Sequence, residues 1–171
     1  MLQIYTGKGK GKTTAALGLV IRAFGQGLKA GIVYFDKGGD DYGERKVLKQ
    51  LGIDFFATGL NRRTPDGGFR FTITDEDKQE AARGLQVVKD LFQQDYDLLV
   101  LDEINSTVAL DMLTAEQVVE LIKHKPEKLE LVLTGRNVPA AISDLADLIS
   151  EMTPIKHYMT KGISARRGIE F

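Results

Sequence analysis

The sequence contains no cysteine, which excludes disulfides, thiolate nucleophiles and cysteine-ligated zinc together. It has no tryptophan and two histidines, His124 and His157. No G-x-S-x-G elbow and no cluster of His and Asp at metal-ligand spacing is present. An excess of charge is missing too. The 23 Lys+Arg face 24 Asp+Glu for a net charge of −1, which is not the basic footprint of a nucleic-acid binder. Wholly apolar runs such as Leu98-Leu99-Val100-Leu101 stop at about four residues, where a membrane span needs roughly 18. Met1 leads straight into Leu2-Gln3-Ile4-Tyr5, with neither a basic n-region nor a small-residue cleavage site, so no secretory signal is expected. These absences predict a cytoplasmic protein with no nucleic-acid or membrane partner.

What the sequence has in excess is glycine. Eighteen of its 171 residues are Gly, against roughly 7% in an average protein. Fourteen of them fall at or before Gly68, so the early part of the chain needs a permissive backbone. With 43% hydrophobic and 27% charged residues, the composition is that of a folded globular chain, and the length suits one domain over residues 1–171. No internal repeat or low-complexity tract marks a boundary.

Short apolar runs alternate with amphipathic stretches. The runs predict strands over 2–5, 31–35, 53–56, 97–101 and 129–133, with a weaker one over 148–151. Helices are predicted over 12–24, 42–51, 75–92, 114–123 and 139–145. In the third of these, Ala81, Leu85, Val88 and Phe92 recur at helical spacing and should face the core. Thr114-Ala115-Glu116-Gln117 has the form of a capping box. This alternation implies an α/β fold, one domain with a mostly parallel sheet of about six strands covered by helices on both faces. Ligands of such sheets bind at the carboxyl ends of the strands.

One glycine-rich segment sits where that rule points. Thr6-Gly7-Lys8-Gly9-Lys10-Gly11-Lys12-Thr13-Thr14 follows the first strand and opens the first helix, as a phosphate-binding loop does. Glycines let successive N–H groups turn inward around phosphate oxygens, and the helix N-terminus adds unsatisfied donors. Lys12 is placed to neutralise phosphate, and the Thr13 hydroxyl to ligate magnesium. The usual G-x-x-x-x-G-K-[ST] pattern wants glycine where Thr6 stands, and Lys8 and Lys10 add two cations. The loop should therefore bind a polyphosphate, with an orientation of its own.

A second segment supports nucleotide chemistry. Asp97-Leu98-Leu99-Val100-Leu101-Asp102-Glu103 is a buried-strand run ending in two carboxylates, where Glu103 or Asp102 would hold Mg²⁺ directly or through water. His124 closes a predicted helix and is read as a dipole partner, and His157 as structural. With no protein nucleophile evident, the substrate should bring its own, leaving the protein to position and neutralise charge.

Taken in order, these residues resemble those of the P-loop ATP:corrinoid adenosyltransferases, the cob(I)alamin or cob(I)yrinic acid a,c-diamide adenosyltransferase family. The resemblance spans Thr6 to Thr14, Leu101-Asp102-Glu103, Thr134-Gly135-Arg136, Ala146-Asp147 with Glu151-Met152, and Lys156-His157 through Gly168-Ile169-Glu170. It implies a RecA-like sheet and transfer of the 5′-deoxyadenosyl group from MgATP to a Co(I) corrinoid, with triphosphate as leaving group. It also implies ATP held in reversed polarity on the altered loop. Carried over by motif, Gly7, Lys8, Gly9, Lys10, Gly11, Lys12, Thr13 and Thr14 would cradle the triphosphate, with Lys12 and Glu103 catalytic and Thr13 and Glu103 on magnesium. Arg22 would contact the nucleotide, and Arg136 would reach the crevice. Implied partners are ATP, a corrinoid (cobalamin, cobinamide or cobyrinic acid diamide), an electron-donor reductase and a second copy in a homodimer.

The family's corrinoid-facing loop continues from Thr-Gly with aromatic residues thought to displace the lower ligand of cobalt. Here it reads Thr58-Gly59-Leu60-Asn61-Arg62-Arg63-Thr64-Pro65-Asp66-Gly67-Gly68-Phe69-Arg70. Leu60 and Arg62 stand at the aromatic places, and Leu60 and Phe69 are the apolar residues expected to line a corrin groove. The three arginines are free, on this reading, to meet corrin side chains or another anion. The family also commonly carries an N-terminal extension that helps close the site, and this sequence starts almost at its first strand. Two other readings stay open: a P-loop kinase or ATPase on another substrate, and a nucleotide-gated corrinoid-binding module.

Overall fold

Five consecutive fully buried residues, Leu98–Asp102, set the plan of the molecule, because a strand without an exposed residue must be covered on both faces. The computed structural model describes residues 1–39, 42–62 and 70–171. In chain order its elements are β1 (Leu2–Thr6), α1 (Lys12–Gly25), β2 (Ala30–Tyr34), α2 (Gly43–Leu51), β3 (Asp54–Ala57) and α3 (Asp75–Phe92). There follow β4 (Leu98–Asp102), α4 (Ile104–Ala109), α5 (Ala115–Lys123), β5 (Glu130–Thr134), α6 (Ala140–Ser143) and β6 (Leu148–Glu151), then a 3₁₀ turn over Tyr158–Lys161. Among the described residues the six strands form one sheet in the order β3-β2-β4-β5-β1-β6. Every pairing is parallel.

Alternation along the strands divides the core in two. Ala30, Ile32, Tyr34, Leu98, Val100 and Val132 pack beneath α1 and α2 through Ala16, Val20, Ala23 and Leu48. On the other face, Val33, Phe35, Leu99, Leu101, Leu131 and Leu133 meet α3 to α6 through Leu85, Val88, Ile104, Val118, Leu121 and Ile142. Burying one such side chain contributes roughly 1.5–3 kcal/mol. The expected apolar face of α3 is the one observed, with Ala81, Leu85, Val88 and Phe92 all buried.

Several predicted boundaries differ from the observed ones by one residue. The central strands end at Tyr34, Asp102 and Thr134, so Asp102 and Thr134 belong to the sheet itself and not to the loops after it. The register pairs Tyr34 with Asp102 and Tyr5 with Thr134, which lines up the carboxyl ends of four strands in one row. The helix expected over 139–145 is shortened to Ala140–Ser143. Six-residue α4 was absent from the sequence reading, since so short a segment carries no periodicity to detect. The edge strand β6 is mostly exposed, in keeping with its weak signal. No helix among the described residues is long and apolar enough to cross a membrane.

The capping box at Thr114 is present in both directions. The Gln117 N–H donates to Thr114 Oγ1, and the Thr114 N–H donates to Gln117 Oε1 at 2.8 Å. Thr114→Ala should lower unfolding free energy by about 1 kcal/mol, with Thr114→Ser restoring most of it. Urea denaturation followed by circular dichroism measures both.

Candidate active site

The carboxyl ends of β1, β2, β4 and β5 open onto a cleft of about 880 Å³. One wall is the glycine-rich loop and the start of α1, from Gly9 to Thr14. The segment from His157 to Phe171 forms much of another, and Lys37, Glu103 and Arg136 also line the space. This C-terminal wall was not assigned to the site from sequence beyond its part in the family resemblance, because nothing local shows that it returns to β1.

The loop is braced from behind. After β6 the backbone passes directly under it, with the Gly9 N–H donating to the Met152 carbonyl at 2.6 Å and the Met152 N–H donating to Thr6 at 2.9 Å. A Cβ on Gly9 would stand 2.6 Å from the Met152 carbonyl oxygen, so a side chain there would push the loop off its support. Lys12 is 6% exposed. Its ammonium donates to the carbonyls of Gly7 and Gly9, each at 2.8 Å. The side chain thus lies inside its own loop, and burial pushes its pKa below the ordinary lysine value.

At the end of β4, Asp102 is fully buried. Thr134 Oγ1 donates to Asp102 Oδ1 at 2.7 Å and accepts from the Glu103 N–H at 2.9 Å. Glu103 adopts a left-handed backbone, φ 65°, which turns its carboxylate into the cleft and starts α4. Ser106 Oγ donates to Glu103 Oε2 at 2.5 Å and accepts from the Arg136 N–H at 2.9 Å.

A residue that sequence reasoning missed completes the group. Lys37 Nζ lies 2.5 Å from Asp102 Oδ2, 3.1 Å from Thr13 Oγ1 and 3.7 Å from Glu103 Oε1. Lys37 is 17% exposed at its side chain, and its carboxylate neighbours hold its pKa above the ordinary value against the opposing effect of burial. No spacing rule marks it, for it sits in the turn after β2, between two glycines and an aspartate. The oxygens around this ammonium are hydroxyl and carboxylate, the hard donors that suit magnesium. Among the described residues no group of three or more His, Asp and Glu side chains is arranged to hold a metal. An ion here would therefore draw its remaining ligands from a substrate.

The other expected residues fall in several places. Thr13 and Thr14 line the cleft, while Lys8 is exposed and does not. Lys10 turns toward the C-terminal segment, donating to Glu170 Oε1 at 2.8 Å and to the Ile169 carbonyl at 2.9 Å. Glu170 is the hub of that segment. Its pKa lies well below the carboxylate range because Arg166, Lys10 and Tyr158 all bond to it. Arg22 lies exposed in the last turn of α1 and does not line the cleft, about 15 Å along the helix from Lys12 at 1.5 Å per residue. His124 is the C-cap of α5. His157 caps the 3₁₀ turn by accepting the Met159 N–H at 3.2 Å, and it also lines the cleft.

In the segment expected to meet a second substrate, the described arginines, Arg62 and Arg70, are placed differently from the expectation. Arg62 is buried. It is ion-paired to Asp36, lies 3.6 Å from Asp77, and donates to Met112 Sδ at 3.1 Å. Arg70 pairs with the same Asp77 at 2.6 and 2.9 Å. Two of the three arginines offered for corrin side chains are thus engaged by carboxylates of the protein. Burial pushes Asp36 up to about 6 even with Arg62 beside it, whereas Arg70 and Thr74 hold Asp77 far below the ordinary range. Leu60 is half-buried and does not line the cleft, and Arg63, Gly67, Gly68 and Phe69 lie outside the described residues. Gly38, Gly39 and Gly43 had no assigned role. A Cβ on Gly38 would stand 2.3 Å from the Leu60 carbonyl carbon, so this glycine lets the turn after β2 pack backbone to backbone on the loop after β3.

Comparison with known proteins places the chain in a family. The sequence matches the family described as ATP:corrinoid adenosyltransferase BtuR/CobO/CobP over residues 1–171. The corrinoid adenosyltransferase of Escherichia coli strain K12 is 38% identical over 170 residues, spanning 98% of this chain and 84% of that protein. Corrinoid adenosyltransferase CobA of Salmonella typhimurium is 37% identical over 174 residues, with 98% and 84% covered. The corrinoid adenosyltransferase of Pseudomonas aeruginosa is 32% identical over 174 residues, with 100% and 83% covered.

Arg62→Leu should cost about 3–5 kcal/mol of stability, because it leaves the largely buried Asp36 carboxylate without its cation and Asp77 with Arg70 alone. Chemical denaturation tests this. A variant of parental stability would mean that Arg62 is not a structural ion-pair partner.

Proposed function

The chain belongs to the ATP:corrinoid adenosyltransferase family, and from that membership we propose how its cleft transfers the adenosyl group of ATP to cob(I)alamin or a related Co(I) corrinoid. The Co(I) lone pair attacks the ribose C5′. A cobalt–carbon bond forms, the C5′–O bond breaks, and its electron pair leaves with the triphosphate as cobalt becomes formally Co(III). No proton moves, so no general base is needed. The chemistry asked of the protein is to orient the nucleotide and neutralise a leaving group of growing negative charge.

The observation that carries this reading is Lys12, whose buried ammonium is held by the Gly7 and Gly9 carbonyls at the mouth of α1. Phosphate oxygens are stronger acceptors than these carbonyls, so Lys12 turns to the triphosphate when it binds. Backbone N–H groups of residues 7 to 14 and the α1 N-terminus share the charge. Thr13 and Glu103 would hold magnesium, with Asp102 behind them. When bound, magnesium supplies further neutralisation of the phosphates. Arg136, across the cleft, adds another cation. A role for Arg22 rests on the family resemblance alone.

The resemblance further implies reversed nucleotide polarity on the altered loop, where Thr6 stands in the place of a glycine. The RecA-like assignment is supported by β5 lying between the strand that carries the loop and the strand that carries the carboxylates. We take residues 1–171 as one domain, the protein as a homodimer, and an electron-donor reductase as the source of Co(I).

Incubation with MgATP and cobalamin under strong reductant should yield triphosphate and an adenosylated corrinoid, read by nucleotide chromatography and the corrin spectrum. ADP with phosphate would overturn the reading in favour of a kinase or ATPase. Tight binding of both ligands without turnover would make the protein a nucleotide-gated corrinoid-binding module. Lys12→Ala should lower turnover by about a hundredfold or more while its circular dichroism stays parental.

A further inference from the structure

Lys37 presents the cleft with a cation where the preceding reading places magnesium. Its ammonium touches Thr13 Oγ1 and Asp102 Oδ2 and lies within ion-pair distance of Glu103. The same oxygens cannot serve an ammonium and a divalent ion together. We propose that Lys37 is a resident place-holder for the metal. In the nucleotide-free protein its ammonium compensates the buried carboxylate of Asp102, and it yields that place when a divalent cation arrives with the nucleotide phosphates.

The anchoring of Lys37 fits such an exchange. Its backbone is held firmly, with the Lys37 carbonyl accepting Arg45 Nη2 at 2.5 Å and the Gly59 backbone packed against the Lys37 nitrogen. Arg45 also reaches the Gly39 carbonyl and stacks on the rings of Tyr34 and Tyr42. The side chain, by contrast, ends in a four-carbon stem with freely turning donors, able to trade carboxylate for phosphate without moving the turn. Asp102 needs a cation continuously, because its Oδ1 is satisfied by Thr134 whereas Oδ2, among the described residues, meets Lys37 alone. Divalent metal alone must evict an ammonium from a buried carboxylate and finds few further ligands. Metal with nucleotide gains phosphate ligands, and the displaced ammonium gains phosphate oxygens as partners. Metal and nucleotide are therefore taken up together, and departure of triphosphate lets Lys37 close back on Asp102.

This inference rests on the reading of the loop and the β4 end as a metal–nucleotide site, and the test separates the two. Mn²⁺ binding to the nucleotide-free chain is followed by the electron paramagnetic resonance of free Mn²⁺, and thermal midpoints are taken with and without Mg²⁺. Lys37→Met should bind Mn²⁺ at least tenfold more tightly than the parent, and its midpoint should rise with Mg²⁺ while that of the parent stays constant. Lys37→Met/Asp102→Asn, which removes the buried cation and anion together, should lose the gain. Equal Mn²⁺ affinity of Lys37→Met and parent overturns the proposal. If Lys37→Met folds only with Mg²⁺, the metal substitutes for the ammonium as proposed. If it stays unfolded in both buffers the proposal fails, since a site that accepts a metal would be rescued by one. A parent chain that takes up no Mn²⁺ even with a non-hydrolysable ATP analogue removes the underlying site assignment instead.

Discussion

A fully buried carboxylate at the end of the central strand is the constraint around which this protein is arranged. Burying a carboxylate between two layers of apolar packing is costly unless partners compensate it. The compensation comes from Thr134 at the end of β5 and Lys37 beyond β2. One group thereby ties together three neighbouring strand ends and the Thr13 hydroxyl of α1. The same contacts determine where Glu103 goes, because Thr134 also accepts the Glu103 N–H and so helps set the left-handed turn into the cleft. A requirement of stability and a feature of the site are here one arrangement.

A second buried charge cluster lies beside it and has a different consequence. Asp36, Arg62, Asp77 and Arg70 join the turn after β2 to the loop after β3 and to the first turn of α3. Asp77 also closes a capping box with Thr74, so one carboxylate both caps α3 and binds two arginines. Asp36 and Lys37 are adjacent, one facing this cluster and the other the nucleotide side. Residues 36 and 37 are therefore pinned from two sides, and the backbone approaches closely at Gly38 as well. A loop that looks cationic in sequence has Arg62 and Arg70 neutralised by the protein itself.

Much of the architecture was legible in advance for physical reasons that can be named. Strands buried on both faces must be continuous apolar runs, which is how the 97–101 run announced β4. Helical periodicity placed Ala81, Leu85, Val88 and Phe92 in the core, and the Thr114–Gln117 spacing announced a capping box. The glycine-rich loop was legible because close backbone approach leaves few residue choices. What stayed hidden has an equally definite cause. Six-residue α4 is shorter than two helical turns, so it has no period to read. Lys37 lies in no motif, and only the parallel pairing of β2 with β4 puts its turn beside Asp102.

The sequence by itself determined the alternating α/β plan, the glycine-rich loop that leads into α1 at Lys12 and Thr13, the acidic end of β4 and the resemblance to the adenosyltransferases. These are properties of local spacing, which the chain carries wherever it goes. Only the tertiary structure decided which charges answer one another. It sent Lys10 to Glu170, buried Arg62 against Asp36, left Arg22 away from the cleft and seated Lys37 among Thr13, Asp102 and Glu103. The physical reason is that electrostatic compensation depends on distance and burial across the fold. Residues 65 apart in the chain become neighbours only when two strands pair.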